Sequence, residues 1–349
     1  MPESVHGHTL DCLLVPSDVT DFVHAMPKAE LHVHLVGSAS VPTVVELARR
    51  HPERGVPTDP DALAAFYEFR DFTHFIEVYQ KVSALVTTPE DVTALVTGLG
   101  RDLAASNVRY AEVTVTPYSH LLAGIEPAAV AQALTEGRRR VAADRGIELA
   151  WIFDIPGEYG VPSGRDTLAW VERHAPEGTV GFGLGGPEVG VERAQFADVF
   201  AAARAAGLHC IPHAGETTGP ETVWSALRDL GAERIGHGVG SADDPRLVEY
   251  LAAERIPLEM CPTSNVCTGA VARIEDHPLP RLLRAGVPVT LNTDDPGMFA
   301  TDLNREYDVA LDVLGLTLTE LRTLAGNAID AAFCSTETKA KLRAAAAHT

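Results

Sequence analysis

Four residues that are far apart in the sequence are of the types that bind zinc. His32 and His34 stand two positions apart, so on a β-strand both imidazoles point to the same side and can meet one ion. His213 and Asp294 occur much later in the chain. Three neutral imidazole nitrogens and one carboxylate suit zinc and leave one position open for water, although iron or manganese also accept these ligands. We therefore predict one Zn²⁺ ion per chain on these four side chains.

Three further residues near these ligands could move protons. Zinc lowers the pKa of a bound water to about 7, which makes hydroxide available at neutral pH. Glu216 is predicted to donate a proton to a ring nitrogen under attack and then to serve the leaving amine. His237 and Asp295 are predicted to orient and deprotonate the water. The alternatives are that Glu216 is a carboxylate at a helix N-terminus and that Asp295 is a turn residue before Pro296.

The elements that must position these residues alternate along the chain. Short β-branched runs are separated by longer Ala-rich stretches of helical periodicity, which is typical of parallel βα units. Eight strands are predicted, at residues 30–35, 108–115, 148–153, 179–183, 209–212, 234–236, 257–259 and 287–291. Eight repeats predict an α/β fold, a (β/α)8 TIM barrel with its catalytic groups at the carboxyl ends of the strands. An open doubly wound sheet is the alternative if fewer of these runs are strands.

The chain is predicted to form a single domain over residues 1–349. A helical insertion at 60–86, after the first strand, is expected to lie over the barrel mouth, and extra helices are expected from Thr317 onward. The aromatic residues of the insertion would either cover a substrate or pack in the core; they are Phe66, Tyr67, Phe69, Phe72 and Phe75. Arg70 would either meet a substrate carboxylate or remain in solvent.

Composition and charge exclude several classes of protein. The net charge of −20 repels phosphate backbones and anionic lipid, so neither nucleic acid nor a membrane is an expected partner. No apolar run approaches the ~20 residues that span a bilayer, and residues 1–11 lack the pattern of a signal peptide. Five cysteines without a CxxC pair predict neither a disulfide framework nor a cysteine zinc site. A cytoplasmic location is the expectation.

Five segments contain the residues considered above and follow one another in order. They are residues 27–35, 213–216, 234–238, 261–265 and 291–296. Together they resemble the adenosine and adenine deaminase family of the amidohydrolase superfamily. The resemblance implies a (β/α)8 barrel, one zinc ion, hydrolysis of a 6-aminopurine to the 6-oxo product, and the same ligand and proton-transfer roles on the same residues. Segment 181–188 lacks the lysine that bridges two metals in binuclear members, which favours a single metal.

The resemblance also indicates where the substrate would lie. It implies that the main chain at Gly186 approaches the purine ring, and a glycine-rich strand end allows that close approach. His34 and Val36 are the other predicted substrate-binding residues. Adenosine deaminases have an aspartate at the position of Val36 that contacts the 5′-hydroxyl. Valine accepts no hydrogen bond, and a buried unpaired hydroxyl costs roughly 1–3 kcal/mol. A purine nucleoside whose 5′ position is modified is therefore the predicted small-molecule partner.

Among the family, segments 34–40, 153–158 and 182–188 look most like those of actinobacterial aminodeoxyfutalosine deaminases. Their substrate, an intermediate of menaquinone biosynthesis, has a carboxyphenyl ketone beyond C5′, and the product is of the futalosine type. Adenosine deamination to inosine is the first alternative. A catalytically silent barrel that acts as a binding protein is the second. The oligomeric state does not follow from the sequence.

Overall fold

Eight parallel β-strands form the centre of the molecule in the computed structural model, which describes residues 16–347. The strands are β1 (Lys28–His34), β2 (Val108–Val115), β3 (Glu148–Pro156), β4 (Thr179–Gly185), β5 (His209–Ala214), β6 (Ile235–His237), β7 (Leu258–Met260) and β8 (Val289–Leu291). They pair in chain order. A parallel bridge between Val33 and Asp294 joins the end of β8 to β1 and closes the barrel. The predicted α/β (β/α)8 class is confirmed.

Seventeen α-helices are assigned among the described residues, and most of them surround the strands. They are α1 (Pro16–Ala25), α2 (Val41–Arg50), α3 (Pro60–Phe66), α4 (Phe72–Ser83), α5 (Pro89–Ala105), α6 (Pro117–Leu122), α7 (Pro127–Arg145), α8 (Gly160–His174), α9 (Ala197–Ala205), α10 (Pro220–Ser225), α11 (Pro245–Ala253), α12 (Pro262–Cys267), α13 (Leu279–Arg284), α14 (Pro296–Phe299), α15 (Leu303–Asp312), α16 (Leu318–Ala331) and α17 (Thr336–Ala347). Helices on the outside explain why nearly every residue of the strands is buried, on both faces of the sheet.

Local sequence signals set several helix ends. At the start of α5, the side chain of Thr88 accepts from the backbone N–H of Asp91, and the side chain of Asp91 accepts from the backbone N–H of Thr88. Thr317 and Glu320 form the same reciprocal pair at the start of α16. This capping box satisfies backbone N–H groups that have no partner within the helix. The extra helices predicted from Thr317 onward are α16 and α17.

The connection between β1 and β2 is the longest in the barrel. It contains α2, α3, α4 and α5, together with a short 3-10 turn at Pro52–Arg54. The predicted insertion at 60–86 corresponds to α3 and α4.

Strands β3, β4 and β5 extend two or three residues further toward the site than the sequence pattern predicts. The pattern ends β3, β4 and β5 at 153, 183 and 212, but they continue to Pro156, Gly185 and Ala214. Glycines in β4 and the proline in β5 weaken the strand pattern. In the structure β5 pairs with β4 up to Pro212 and with β6 from His213 onward. His213 and His237 therefore lie on the strands themselves and not in the loops that follow them.

Some expectations concern residues outside 16–347. Residues 1–11, on which the expectation about a signal peptide rests, and Cys12 lie outside the described residues. Within 16–347, none of the helices combines the length and the apolar character that crossing a bilayer would require. The four described cysteines, Cys210, Cys261, Cys267 and Cys334, are free thiols.

Candidate active site

The barrel brings the four predicted metal ligands together at the carboxyl ends of its strands. His32 and His34 are on β1, His213 is on β5, and Asp294 follows β8. One donor atom from each residue lies within 4.8 Å of the donors of the other three. His34 Nε2 is 3.1 Å from His213 Nε2 and 3.2 Å from Asp294 Oδ1. His32 Nε2 is 3.3 Å from the same oxygen.

This donor set fits a zinc ion. Zinc–ligand bonds of 2.0–2.1 Å at tetrahedral angles separate neighbouring donors by about 3.3 Å, and the three spacings of 3.1, 3.2 and 3.3 Å are close to that value. His32 Nε2 is buried and has no hydrogen-bond partner among the described residues, as expected of a nitrogen that is reserved for a metal. Several imidazole nitrogens and a carboxylate, all buried and facing one another, are otherwise a costly arrangement.

Hydrogen bonds below the metal site fix the orientation of His32. Its Nδ1 lies 2.8 Å from Glu259 Oε2 on β7, so Nδ1–H donates to the carboxylate and Nε2 stays free as a ligand. Glu259 in turn accepts from Arg234 Nε, and Arg234 Nη2 donates to Glu112 on β2. All of these groups are buried. The ligand is therefore supported by an ion-paired network inside the barrel.

The backbone at two site residues has a conformation that is unusual for non-glycine residues. His237 has φ +60° and Asp294 has φ +66°, which is the left-handed region. Such positions cost of order 1–3 kcal/mol and occur most often where function requires them. Asp294 is held by a bond from Ser264 Oγ to its Oδ2 at 2.6 Å.

Glu216 lies beside the four predicted metal ligands and is not part of the helix that follows it. Thr268 Oγ1 donates to Glu216 Oε1 at 3.1 Å, and Oε2 is 3.8 Å from His237 Nε2. The next helix begins only at Pro220, with Gly219 at its N-cap, so the alternative of a helix-capping carboxylate does not describe Glu216. Burial and the nearby charge of Asp294 raise the pKa of Glu216 well above its ordinary value.

Asp295 is buried against the first loop of the barrel. Its Oδ1 has no hydrogen-bond partner among the described residues. The same oxygen lies so close to Gly37 that a Cβ atom on residue 37 would be only 1.5 Å from it. Gly37 therefore has to be glycine to make room for this carboxylate. Burial, followed by the charge of Asp294, raises the pKa of Asp295 well above its ordinary value. Asp295 does not cap α14 with its side chain.

A cavity of about 440 Å³ opens above these groups and is lined by His34, His213, Glu216, His237, Asp294 and Asp295. Gly186 also lines it and has φ +79°, and a Cβ there would be 2.5 Å from Glu158 Oε2. Val36 is buried beneath the wall, where it borders a small void next to Tyr79 and Ser83. Because Tyr79 and Ser83 also line the main cavity, Val36 lies behind the wall that a substrate would contact.

All five aromatic residues of the insertion belong to the hydrophobic core or pack against it. Phe72 and Phe75 on α4 also line the cavity, so these two combine the two roles that the sequence left open.

Two arginines of the β1–β2 connection, Arg54 and Arg70, differ in whether they border the cavity. Arg70 is exposed and does not border the cavity. Arg54 lines the cavity and is the only lysine or arginine among the described lining residues.

Several functional contacts were not predicted from the sequence. Glu259, Ser264, Asn265 and Thr268 hold His32, Asp294, His237 and Glu216, respectively. Two of the four, Ser264 and Asn265, belong to segment 261–265, one of the five segments of the family resemblance, but neither had a predicted role. Their side-chain partners are 28 to 227 positions away, so sequence spacing gave no direct signal.

A parallel (β/α)8 barrel with three histidines and an aspartate at the carboxyl ends of its strands is the architecture of the metal-dependent amidohydrolases. The chain belongs to the adenosine deaminase family, whose model matches residues 27–348. It is therefore a hydrolase that acts on C–N bonds.

Known relatives are consistent with this assignment. An aminodeoxyfutalosine deaminase of Streptomyces coelicolor is 54% identical over 94% of this chain and 85% of that protein. An adenine deaminase structure from Arthrobacter aurescens has a TM-score of 0.88 and 31% identity, and the match covers 93% of this chain and 98% of that one. An amidohydrolase structure from Burkholderia ambifaria with bound Zn has a TM-score of 0.87 and 28% identity, over 96% of this chain and 93% of that one.

Proposed function

We propose that this enzyme deaminates aminodeoxyfutalosine, a 6-aminopurine nucleoside extended at C5′, and releases ammonia. The observation that carries this proposal is the apolar Val36 behind the cavity wall, at the position where adenosine deaminases have an acid for the 5′-hydroxyl. The 54% identity to an aminodeoxyfutalosine deaminase over most of both chains supports the same substrate.

One zinc ion per chain is the cofactor that we propose. His32, His34, His213 and Asp294 would hold it, and the bound zinc of the Burkholderia ambifaria amidohydrolase supports the choice of metal. When bound, zinc acts as a Lewis acid and lowers the pKa of water to about 7.

Residues around the cavity would carry the proton transfers. Asp295 and His237 orient the attacking water, and Asp295, whose Oδ1 has no hydrogen-bond partner among the described residues, takes its proton. Glu216, protonated because its pKa is raised, donates to the purine ring nitrogen as the water oxygen bonds to C6. Glu216, now a carboxylate, takes the remaining O–H proton and passes it to the amine, so the C6–N bond breaks as the 6-oxo group forms and ammonia leaves. The proton held by Asp295 then returns to Glu216 for the next turnover. Gly186 lets the main chain approach the purine.

The outer part of the cavity suits an aromatic tail that ends in a carboxylate. Leu122 and Tyr159 line it and are large apolar side chains that remain 61% and 47% exposed, so burying them on an aryl group is favourable. Arg54 borders the same cavity with its side chain 44% exposed. The other charged groups of the lining are mainly carboxylates, which would repel an acidic tail placed deeper.

A substrate panel tests the proposed function. With enzyme reconstituted with zinc, we expect kcat/KM for aminodeoxyfutalosine to exceed that for adenosine by tenfold or more. Val36 stands where adenosine deaminases have the acid that pairs with the 5′-hydroxyl, and each 1.4 kcal/mol is about tenfold. The measurement is ammonia release with aminodeoxyfutalosine, 5′-methylthioadenosine and adenosine. A preference for adenosine would overturn the proposal, and zinc binding without turnover of any of the three would favour a binding protein.

A substitution of Arg54 tests separately whether this side chain binds the carboxylate of the aromatic tail of aminodeoxyfutalosine. We expect Arg54→Gln to raise KM for aminodeoxyfutalosine by about five- to tenfold, because a charge-assisted hydrogen bond to the carboxylate is lost. The kcat should stay close to wild type, since this contact is remote from C6. Arg70→Gln is the matched control, an identical change on an exposed arginine that does not border the cavity. KM for 5′-methylthioadenosine, which has no carboxylate, should not change in either variant. Equal KM values for the two variants with aminodeoxyfutalosine would contradict the assignment of Arg54.

A further inference from the structure

Behind the site, a line of buried side chains leads from His237 to a backbone amide. Asn265 Nδ2 is 3.1 Å from His237 Nδ1, and Asn265 Oδ1 is 3.1 Å from His277 Nε2. The backbone N–H of Leu279 donates to His277 Nδ1 at 3.2 Å. All three side chains are buried, so water does not offer them alternative partners.

The direction of every hydrogen bond in this line follows from its last member. A backbone N–H can only donate, so His277 Nδ1 accepts and carries no proton, and its proton is on Nε2. His277 Nε2–H therefore donates to the amide oxygen of Asn265. The amide nitrogen of Asn265 then faces His237 and donates to Nδ1. If His237 were an imidazolium, its Nδ1–H would point at the N–H of the Asn265 amide, and two donors would face each other. His237 is therefore neutral, and its proton is on Nε2.

We infer that Asn265 and His277 are positioning residues that hold His237 as the Nε2–H tautomer. Its Nε2 is on the side of the reaction, 3.8 Å from Glu216 Oε2 and 3.9 Å from Asp294 Oδ2. In this form His237 donates a hydrogen bond to the attacking oxygen and does not accept the water proton. Asp295, whose Oδ1 has no partner among the described residues, is left as the proton acceptor. The inference applies to any aminopurine substrate, so it does not depend on the tail of aminodeoxyfutalosine.

The tautomer can be observed directly. In the ¹⁵N-histidine-labelled zinc enzyme, the two ring nitrogens of His237 differ in chemical shift according to which one is protonated, and the His237→Asn variant assigns the signals. We expect a protonated Nε2 and an unprotonated Nδ1 in the wild-type enzyme. A protonated Nδ1 would overturn the inference whatever the activity of the enzyme.

Asn265→Asp tests the consequence for catalysis. A carboxylate at this position can only accept, so His237 must place a proton on Nδ1, and the neutral ring loses its donor toward the cavity. We expect kcat to fall by about 100-fold or more, as when one oriented donor is removed from a reacting oxygen, with KM and zinc content little changed. Wild-type kcat in an Asn265→Asp enzyme whose ¹⁵N signals show a neutral His237 protonated on Nδ1 would contradict the inference.

Two variants of His277 keep the test decisive if the aspartate variant does not fold. His277→Gln keeps an N–H donor for Asn265 Oδ1. His277→Leu has no such donor, so the side-chain amide of Asn265 can rotate by 180° and exchange its oxygen and nitrogen. We expect the glutamine variant to retain at least tenfold more kcat than the leucine variant, with the His237 signals of the wild type only in the former. Equal kcat values and unchanged His237 signals in both variants would show that the line of hydrogen bonds has only a structural role.

Discussion

Glu216→Gln is expected to lower kcat by about 10²–10⁴-fold, the usual contribution of one general acid. The amide keeps the size of the side chain and can still accept from Thr268 Oγ1, which is 3.1 Å from Glu216 Oε1, but it has no carboxyl proton to transfer to the purine ring. KM and zinc content should change little, because Glu216 is not one of the four proposed metal ligands. Steady-state kinetics and metal analysis on the same preparation separate loss of chemistry from loss of zinc.

Glu221→Gln is the matched control for this change. Glu221 is exposed at the start of α10 and is five residues from Glu216, so the same substitution there should leave kcat near wild type. The pH dependence gives a second check. Burial and the charge of Asp294 raise the pKa of Glu216, so the carboxyl is protonated below that pKa and activity falls as the pH rises through it. A Glu216→Gln enzyme with more than a tenth of the wild-type kcat would contradict the role of proton donor.

Arg234→Met is expected to destabilise the fold by about 3–5 kcal/mol. Arg234 pairs with Glu112 and Glu259, donates to the carbonyl of Ala331 at 2.8 Å, and stacks 4.3 Å from the ring centre of Phe333. Methionine fills much of the volume but leaves two buried carboxylates without their cation, and an uncompensated buried charge is more costly than the loss of the pair itself. Denaturant unfolding of the zinc-free protein measures the free energy directly.

An exposed arginine shows whether the effect is specific to burial. Arg140 forms an ion pair with Glu136 one helical turn away, and both side chains are exposed. Pairs of this type contribute little in water, so Arg140→Met should leave the free energy of unfolding almost unchanged. If Arg234→Met were as stable as Arg140→Met, the buried ion pairs of Arg234 would not contribute to the stability of the fold, which would contradict this prediction. In the zinc enzyme we also expect weaker metal binding, because Glu259 orients His32.

Much of the candidate site could be predicted because the spacing of residues on a strand determines the direction in which their side chains point. Two histidines separated by one residue on a strand necessarily point the same way, and parallel strands in a barrel end on the same rim. His32 and His34 could therefore be connected with His213 and Asp294 from residue types and strand positions alone. The strand ends were less accurate, because Pro212 and the glycines of β4 weaken the local pattern while pairing with neighbouring strands continues.

The peripheral contacts could not be obtained in the same way. Arg70 was one candidate partner for an acidic tail, whereas Arg54, earlier in the same connection, borders the cavity. Both arginines lie outside the α-helices, in segments whose periodicity does not indicate which side faces the barrel. Only the packing of the β1–β2 connection on the barrel decides which arginine reaches the mouth.

The sequence by itself determined the reaction type, the candidate metal ligands and the fact that a valine at position 36 cannot pair with a 5′-hydroxyl, since these depend on residue type and local spacing. The tertiary structure alone decided which groups hold the reacting side chains. Glu259 reaches His32 across 227 positions, and the Leu279 amide reaches His237 only through His277 and Asn265. Hydrogen bonds act over about 3 Å, so the position of the proton on the His237 ring depends on atoms that only folding brings into contact.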